Sequence, residues 1–206
     1  DLAGNVNSEQ LSVISDVASR YGKGYVGTTS RLGIEIPWIP KDSLEVAVKE
    51  LKEAGLTVGS TGPVVRTIVS CKGSICRYGL GDTQELCRQL DKAYYGAPQP
   101  VKFKIGISGC PNNCIKTQLN DLGFMGQCVP KYDETQCTSC YACVSVCKVN
   151  AISETDEGIE IDRDECVNCG NCIKVCPTDA LTIEKQGFAA YIGGKLTRGI
   201  GRVNYH

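Results

Sequence analysis

From Asn7 the chain reads "NSEQLSVISDVASRYG", with apolar Leu11, Ile14, Val17 and Ala18 recurring at helical spacing. Asn7 and Gln10 have the spacing of a capping box, and Gly22 is a stop signal, so the pattern predicts an amphipathic helix. In "LGIEIPWIP", Ile34, Ile36 and Trp38 alternate and predict a half-buried strand after the β-prone "GYVGTTS". "DSLEVAVKELKEAG" predicts a second helix, opened by an Asp42 to Glu45 capping box and closed at Gly55, and "LTVG" the start of a third strand. Helix, two strands, helix and strand make an α+β unit of about 60 residues, a size that carries little core alone and packs on the rest of the chain.

After Gly62, the β-branched run in "PVVRTIVSCKGSICRYG" delivers Cys71 to a glycine-containing loop and Cys76. A helix is predicted from about Asp82 to Tyr95, with Cys87 inside it as a small buried apolar residue. A further strand, "VKFKIGIS", runs into "GISGCPNNC". Two strand ends, each with a cysteine pair on a loop, make a four-thiolate site from Cys71, Cys76, Cys110 and Cys114 if the loops converge. C-x4-C with C-x3-C leaves zinc and an iron-sulfur cluster both open.

Residues 137–147, "CTSCYACVSVC", and 166–176, "CVNCGNCIKVC", are both C-x2-C-x2-C-x3-C, and the offset from 137 to 166 is 29 positions. "KVNAIS" and "PTDALT" match after them, so this is an internal duplication. In this spacing three cysteines wrap one face of a cubane and the fourth points to the other cluster. One 4Fe-4S cluster is thus expected on Cys137, Cys140, Cys143 and Cys176, the other on Cys166, Cys169, Cys172 and Cys147. Zinc has no use for eight cysteines in this order. Between the runs, "ISETDEGIEIDRDE" alternates around Gly158 and predicts a hairpin with its acidic side chains in solvent. From Tyr132 to Glu184 the segment resembles the bacterial two-cluster ferredoxins, which carry electrons. It departs from them at Lys148, where proline is common; Pro177 keeps that residue in the second run.

Composition sharpens this reading. Among 206 residues there are 22 Lys plus Arg against 23 Asp plus Glu, a balance that excludes a basic footprint for nucleic acid or membrane over the whole surface. Fourteen cysteines with one histidine, His206, point to thiolate-held metal rather than to the disulfide framework of a small secreted domain. No apolar run reaches membrane-spanning length and "DLAGNVNSEQ" lacks the pattern of a secretory signal, so a soluble, cytoplasmic protein is expected. Cys128, after "GFMGQ", falls outside the three cysteine sets and is assigned no role.

"TSRLGIEI", "GPVVRTIVSCKG", "VKFKIGISGCPNNC" and "NDLGFMGQ", in that order, resemble the siroheme-dependent sulfite and nitrite reductases, especially short anaerobic members with an inserted ferredoxin. The resemblance runs from about Gly4 to Gly194. It implies an α+β chain of three parts: a ferredoxin-like half domain over 1–62, a 4Fe-4S/siroheme α/β domain over 63–131 continued by 185–206, and a two-cluster ferredoxin domain over 132–184. It also resolves the open site in favour of a third 4Fe-4S cluster on Cys71, Cys76, Cys110 and Cys114, with the Cys114 thiolate bridging to siroheme iron. The family's anion site maps onto Arg31, Arg66, Lys102 and Lys104, cations suited to holding a small oxyanion and supplying protons. In the tail, Lys195, Arg198 and Arg202 are expected near the siroheme carboxylates.

Three departures stand out. The first pair is C-x4-C where well-known members have C-x5-C, position 32 is Leu where many have glutamine, and the chain matches one reductase half where larger enzymes have two. A partner reductase subunit or a second copy is therefore expected, along with an electron-donor protein or subunit. The activity implied is six-electron reduction of sulfite to sulfide, or of nitrite to ammonia. The alternative is an electron-transfer subunit that binds no siroheme and feeds a separate catalytic partner. Retention of the four cations favours the enzyme; Leu32 and the single half favour the carrier.

Overall fold

A computed structural model describes residues 4–194 and 204–205. The chain divides into two compact units, Asp1–Cys71 with Gln84–Gly106, and Lys72–Thr83 with Ile107–His206.

In the first unit, helix α1 (Ser8–Tyr21) starts as its sequence predicts: the Gln10 N–H donates to Asn7 Oδ1 at 2.7 Å and the Asn7 N–H to Gln10 Oε1 at 3.1 Å. Ile14, Val17 and Ala18 are buried, while Leu11 is exposed. Helix α2 (Leu44–Glu53) packs against α1 through buried Ala47. The Asp42 to Glu45 capping box does not form. The Ser43 N–H closes a 3-10 turn on the Pro40 carbonyl at 3.0 Å, so the α-helix begins at Leu44 without a side-chain cap. Its end follows expectation, with Gly55 in the left-handed region (φ 74°) and the Leu56 N–H returning to the Leu51 carbonyl.

The strands of this unit are shorter than their alternation suggests. β1 (Gly27–Thr28) pairs antiparallel with β2 (Ile34–Glu35), and the ladder stops there because Pro37 has no N–H to donate. Ile34 and Trp38 are exposed rather than half-buried; Trp38 takes φ 62° and meets Tyr25 edge-on at 5.6 Å. Among the described residues "LTVG" forms no strand. Val64 and Val65 make single bridges to Pro98 and Phe103, and β3 is only Val69–Ser70. Helix α3 (Thr83–Tyr94) buries Cys87 completely, and burial pushes its thiol up to about 11.

The second unit is built on β5 (Leu122–Tyr132) and β8 (Leu181–Ile192), an antiparallel ladder from Leu122 opposite Ile192 to Tyr132 opposite Leu181, irregular at Val129/Pro130. The end of β4 (Ile105–Ser108) flanks β5, and β9 (Asn204–Tyr205) pairs with Tyr191 and Ile192. A hairpin of β6 (Ile152–Thr155) and β7 (Gly158–Ile161) joins two five-residue helices, α4 (Ala142–Val146) and α5 (Asn171–Val175).

The duplication is visible in the backbone. Ser139 and Asn168, Tyr141 and Gly170, and Asn150 and Asp179 are each 29 residues apart (139 to 168, 141 to 170, 150 to 179), and all six take positive φ, from 51° to 68°. A shared core of Cys143, Cys172, Ile152, Ile159 and Leu181 lies between the repeats.

Candidate iron-sulfur and anion sites

Among the described residues, which include all fourteen cysteines, there is no disulfide, and no three metal-ligating side chains close to the distances of a single-ion site. Instead, four cysteines line one cavity. Cys137, Cys140, Cys143 and Cys176 line it together with Tyr132, Tyr141, Ile159, Ala180 and Leu181. Three of these thiols come from the first run and the fourth from the end of the second. Their surroundings are apolar walls with backbone donors: the Ser139 N–H points to Cys137 Sγ at 3.4 Å. Burial pushes Cys143 up, and the nearby Cys140 and Cys176 add to it. At Cys176 burial also pushes upward, but the N–H groups of Thr178, Leu181 and Ala180 and the Thr178 hydroxyl outweigh it, so the thiol sits below its ordinary range.

In the second run, burial pushes Cys172 up to about 12, with Cys169 and Cys166 as its nearest electrostatic neighbours. Cys147 accepts the Ala151 N–H at 3.3 Å and packs on the shared core. The four soft sulfur donors gathered around the first cavity suit an iron-sulfur cluster. Cys128, given no role by its sequence, is buried on β5, where its N–H donates to the Asn168 carbonyl at 2.8 Å and its backbone bridges to Cys169.

Of the remaining four cysteines, Cys71 closes the first unit, and the other three belong to the second. Cys76 lies on a loop tied to the Cys110 loop: the Gly73 N–H donates to Thr83 Oγ1 at 3.1 Å and the Leu80 N–H to the Gly109 carbonyl at 2.8 Å. Cys114 is exposed on a turn held by its neighbours. Asn113, at φ 51°, offers Oδ1 to the Thr117 N–H at 2.9 Å and hydroxyl at 3.0 Å, and to the Ser108 hydroxyl at 3.2 Å. Ser108 Oγ in turn accepts the Ile115 N–H at 3.2 Å. Sequence reasoning missed Ser108, Asn113 and Thr117; the signal for Asn113 was an asparagine in a Gly/Pro loop, the residue that best tolerates a left-handed turn.

The four cations predicted for anion binding all fall in the first unit. The Arg66 N–H donates to the Phe103 carbonyl at 2.8 Å, which sets Arg66 beside the strand segment carrying Lys102 and Lys104. Arg31 Nη2 donates to the Thr67 carbonyl at 3.1 Å, one residue from Arg66. Arg66 is half-buried, with Nη1 on the Ser60 carbonyl at 2.9 Å, while its Nε is buried without a hydrogen-bond partner among the described residues. An orphaned buried N–H on a guanidinium is a place for an acceptor, and an anion fits it best. Lys102 is exposed and Lys104 half-buried. Lys195, Arg198 and Arg202 lie outside the described residues.

Two family matches cover most of the chain: the nitrite/sulfite reductase ferredoxin-like half domain over residues 2–54 and the nitrite and sulphite reductase 4Fe-4S domain over 61–204. A coenzyme F420-dependent sulfite reductase of Methanocaldococcus jannaschii is 44% identical over 92% of this chain, and the match takes up 31% of that protein. One of the subunits of the anaerobic sulfite reductase of Salmonella typhimurium is 31% identical over 69% of this chain and 46% of its own length. The chain thus spans about a third to a half of these relatives. Among solved structures, dissimilatory sulfite reductase I superposes with a TM-score of 0.74 at 25% identity, over 99% of this chain and 55% of the other. Among the described residues no helix is long and apolar enough to cross a membrane. With matches over both segments, the chain belongs to the nitrite and sulphite reductase family.

Proposed function

We propose that this chain is the cluster-bearing, anion-binding part of a cytoplasmic siroheme-dependent sulfite reductase, with nitrite as the alternative substrate. The observation that carries the reading is a buried Arg66 Nε that has no partner among the described residues, on a segment whose backbone Arg31 and the stretch carrying Lys102 and Lys104 both contact. The domain assignments accompany it: a half domain over 1–62, a 4Fe-4S/siroheme domain over 63–131 with 185–206, and an inserted ferredoxin over 132–184.

Three 4Fe-4S clusters are assigned by thiolate set: Cys137, Cys140, Cys143 and Cys176; Cys166, Cys169, Cys172 and Cys147; and Cys71, Cys76, Cys110 and Cys114. The cavity shared by Cys176 and the first-run cysteines supports the crossed pairing of the first set. The exposed Cys114, on a turn braced by Asn113 and Ser108, suits a thiolate that faces a cofactor. When bound, siroheme coupled to a 4Fe-4S cluster supplies the electrons and an iron that binds the anion. The chain's own part is to hold the anion's charge with Arg31 and Arg66, and to let Lys102 and Lys104 supply protons as oxygens leave as water. Lys195, Arg198 and Arg202 would answer the cofactor's carboxylates. A donor protein and a second reductase half, from a partner subunit or another copy, would complete the assembly.

The test is anaerobic purification with iron, acid-labile sulfide and tetrapyrrole analysis. About twelve irons per chain for three cubanes, and a siroheme absorption that shifts with sulfite, are expected. Clusters without tetrapyrrole, even when siroheme is supplied to the expressing cell, would make the chain an electron carrier for a separate catalytic subunit. Zinc in place of iron would overturn both readings.

A further inference from the structure

We propose that Tyr132 tunes the first-run cluster, its phenol O–H donating to the sulfur of Cys137 and raising that cluster's reduction potential above that of its twin. The inference rests on the cysteine assignment proposed above.

The phenol is fixed from two sides. It accepts the Ile159 N–H at 3.3 Å, which leaves its own proton free to donate, with the Cys137 sulfur beside it as the acceptor. A phenol keeps its proton at neutral pH, so the side chain is a donor there. Both Tyr132 and Cys137 line the first-run cavity. The approach depends on Gly158, the first residue of β7. A Cβ there would stand 2.2 Å from the Tyr132 hydroxyl oxygen and 3.5 Å from Cys137 Sγ, and its φ of 144° is one that side chains rarely adopt. The residue that the sequence reads as a hairpin turn thus makes room for the phenol.

Reduction adds one negative charge that spreads over the iron, the sulfide and the ligating thiolates. A donor aimed at a thiolate therefore stabilises the reduced state more than the oxidised one. The second run lacks the device: the position 29 residues after Tyr132 (132 to 161) is Ile161, which has no hydroxyl. The duplication would otherwise make two matched clusters, and Tyr132 makes them unequal.

The experiment is a potentiometric titration of the anaerobic, cluster-loaded full chain, followed by EPR, for wild type and Tyr132→Phe. Phenylalanine keeps the ring and removes only the hydroxyl. One couple should fall by about 59 mV, a tenfold lower reduced-to-oxidised ratio at fixed potential for one electron, while the other couples stay. An exchangeable proton coupled to that cluster should also disappear from the spectrum. Unmoved couples in a Tyr132→Phe protein with unchanged iron content would overturn the tuning role and leave the cysteine assignment standing. If Cys137→Ala leaves the iron content and every cluster spectrum unchanged, the assignment fails and the tuning role with it.

Discussion

The two cysteine runs share spacing, helices and left-handed positions, yet they are set against different surroundings. At the first run, Tyr132 and Gly158 bring a phenol to Cys137. At the second, β5 itself closes on the loop: Cys128 bonds to Asn168 and leaves only a tight space at position 170. A Cβ on Gly170 would lie 3.1 Å from Cys128 Cβ and 3.2 Å from its sulfur. The matched position in the first run, Tyr141, has the same left-handed backbone and carries a full side chain. Duplication thus copies the cysteine spacing and the left-handed positions, as the proposed cubanes would require, and leaves the second layer free to differ. That layer is where two chemically identical sites can acquire different potentials.

The largest effect separates the crossed pairing from the uncrossed one. In Cys137→Ala/Cys176→Ala, crossed ligation damages one cluster and leaves its twin with all four thiolates. In Cys137→Ala/Cys147→Ala it damages both. EPR of the reduced proteins should show one surviving ferredoxin-type signal in the first variant and none unaltered in the second. The opposite result would show that each run holds its own cluster.

Next in size is the contrast between Gly170 and Tyr141. Gly170→Ala puts a Cβ against Cys128 and forces alanine into a left-handed conformation, at about 1–2 kcal/mol for the backbone alone. Tyr141→Ala removes packing and the 3.4 Å hydroxyl contact with the Thr155 carbonyl, but its backbone already tolerates a side chain. Bleaching of cluster absorbance in urea should therefore move to lower denaturant in Gly170→Ala than in Tyr141→Ala. Equal midpoints would mean that β5 does not brace the second loop.

The legible parts of this protein are those where one residue type has one physical use. The Asn7 to Gln10 cap and the Gly55 stop can be read directly, since each depends on contacts a few residues apart, and the duplication shows in the cysteine spacing itself. The "LGIEIPWIP" strand misleads because alternation reports what a strand would bury, whereas Pro37 ends the ladder that would bury it. The Asp42 cap is displaced by the 3-10 turn after Pro40. Tyr132, Gly158 and Cys128 are illegible for another reason. Their roles come from pairing across β5, β7 and the 168–170 loop, at separations of 26 residues (132 to 158) and 40 (128 to 168) that no local pattern encodes.

The smallest expected effect tests whether the second layer also acts at the second run. Cys166 Sγ lies 3.6 Å from Asn168 Oδ1, a contact in which the thiol donates. A thiolate holding iron has no proton, so the Asn168 side chain must turn its amide N–H toward the sulfur, a donor to match the Ser139 N–H at Cys137. Asn168→Asp removes that donor and places a carboxylate beside an already negative cluster. Asp tolerates the left-handed backbone nearly as well as Asn, so the unfolding midpoint of the cluster-free chain should barely move. The potential of the second-run cluster should fall, and by less than the Tyr132→Phe shift, because Asn168 is half-buried and solvent screens the new charge. The two changes act on different clusters, so combining Asn168→Asp with Tyr132→Phe should lower both couples and narrow the gap between them. A gap that widens instead would place the phenol's influence on the second cluster and reverse the comparison.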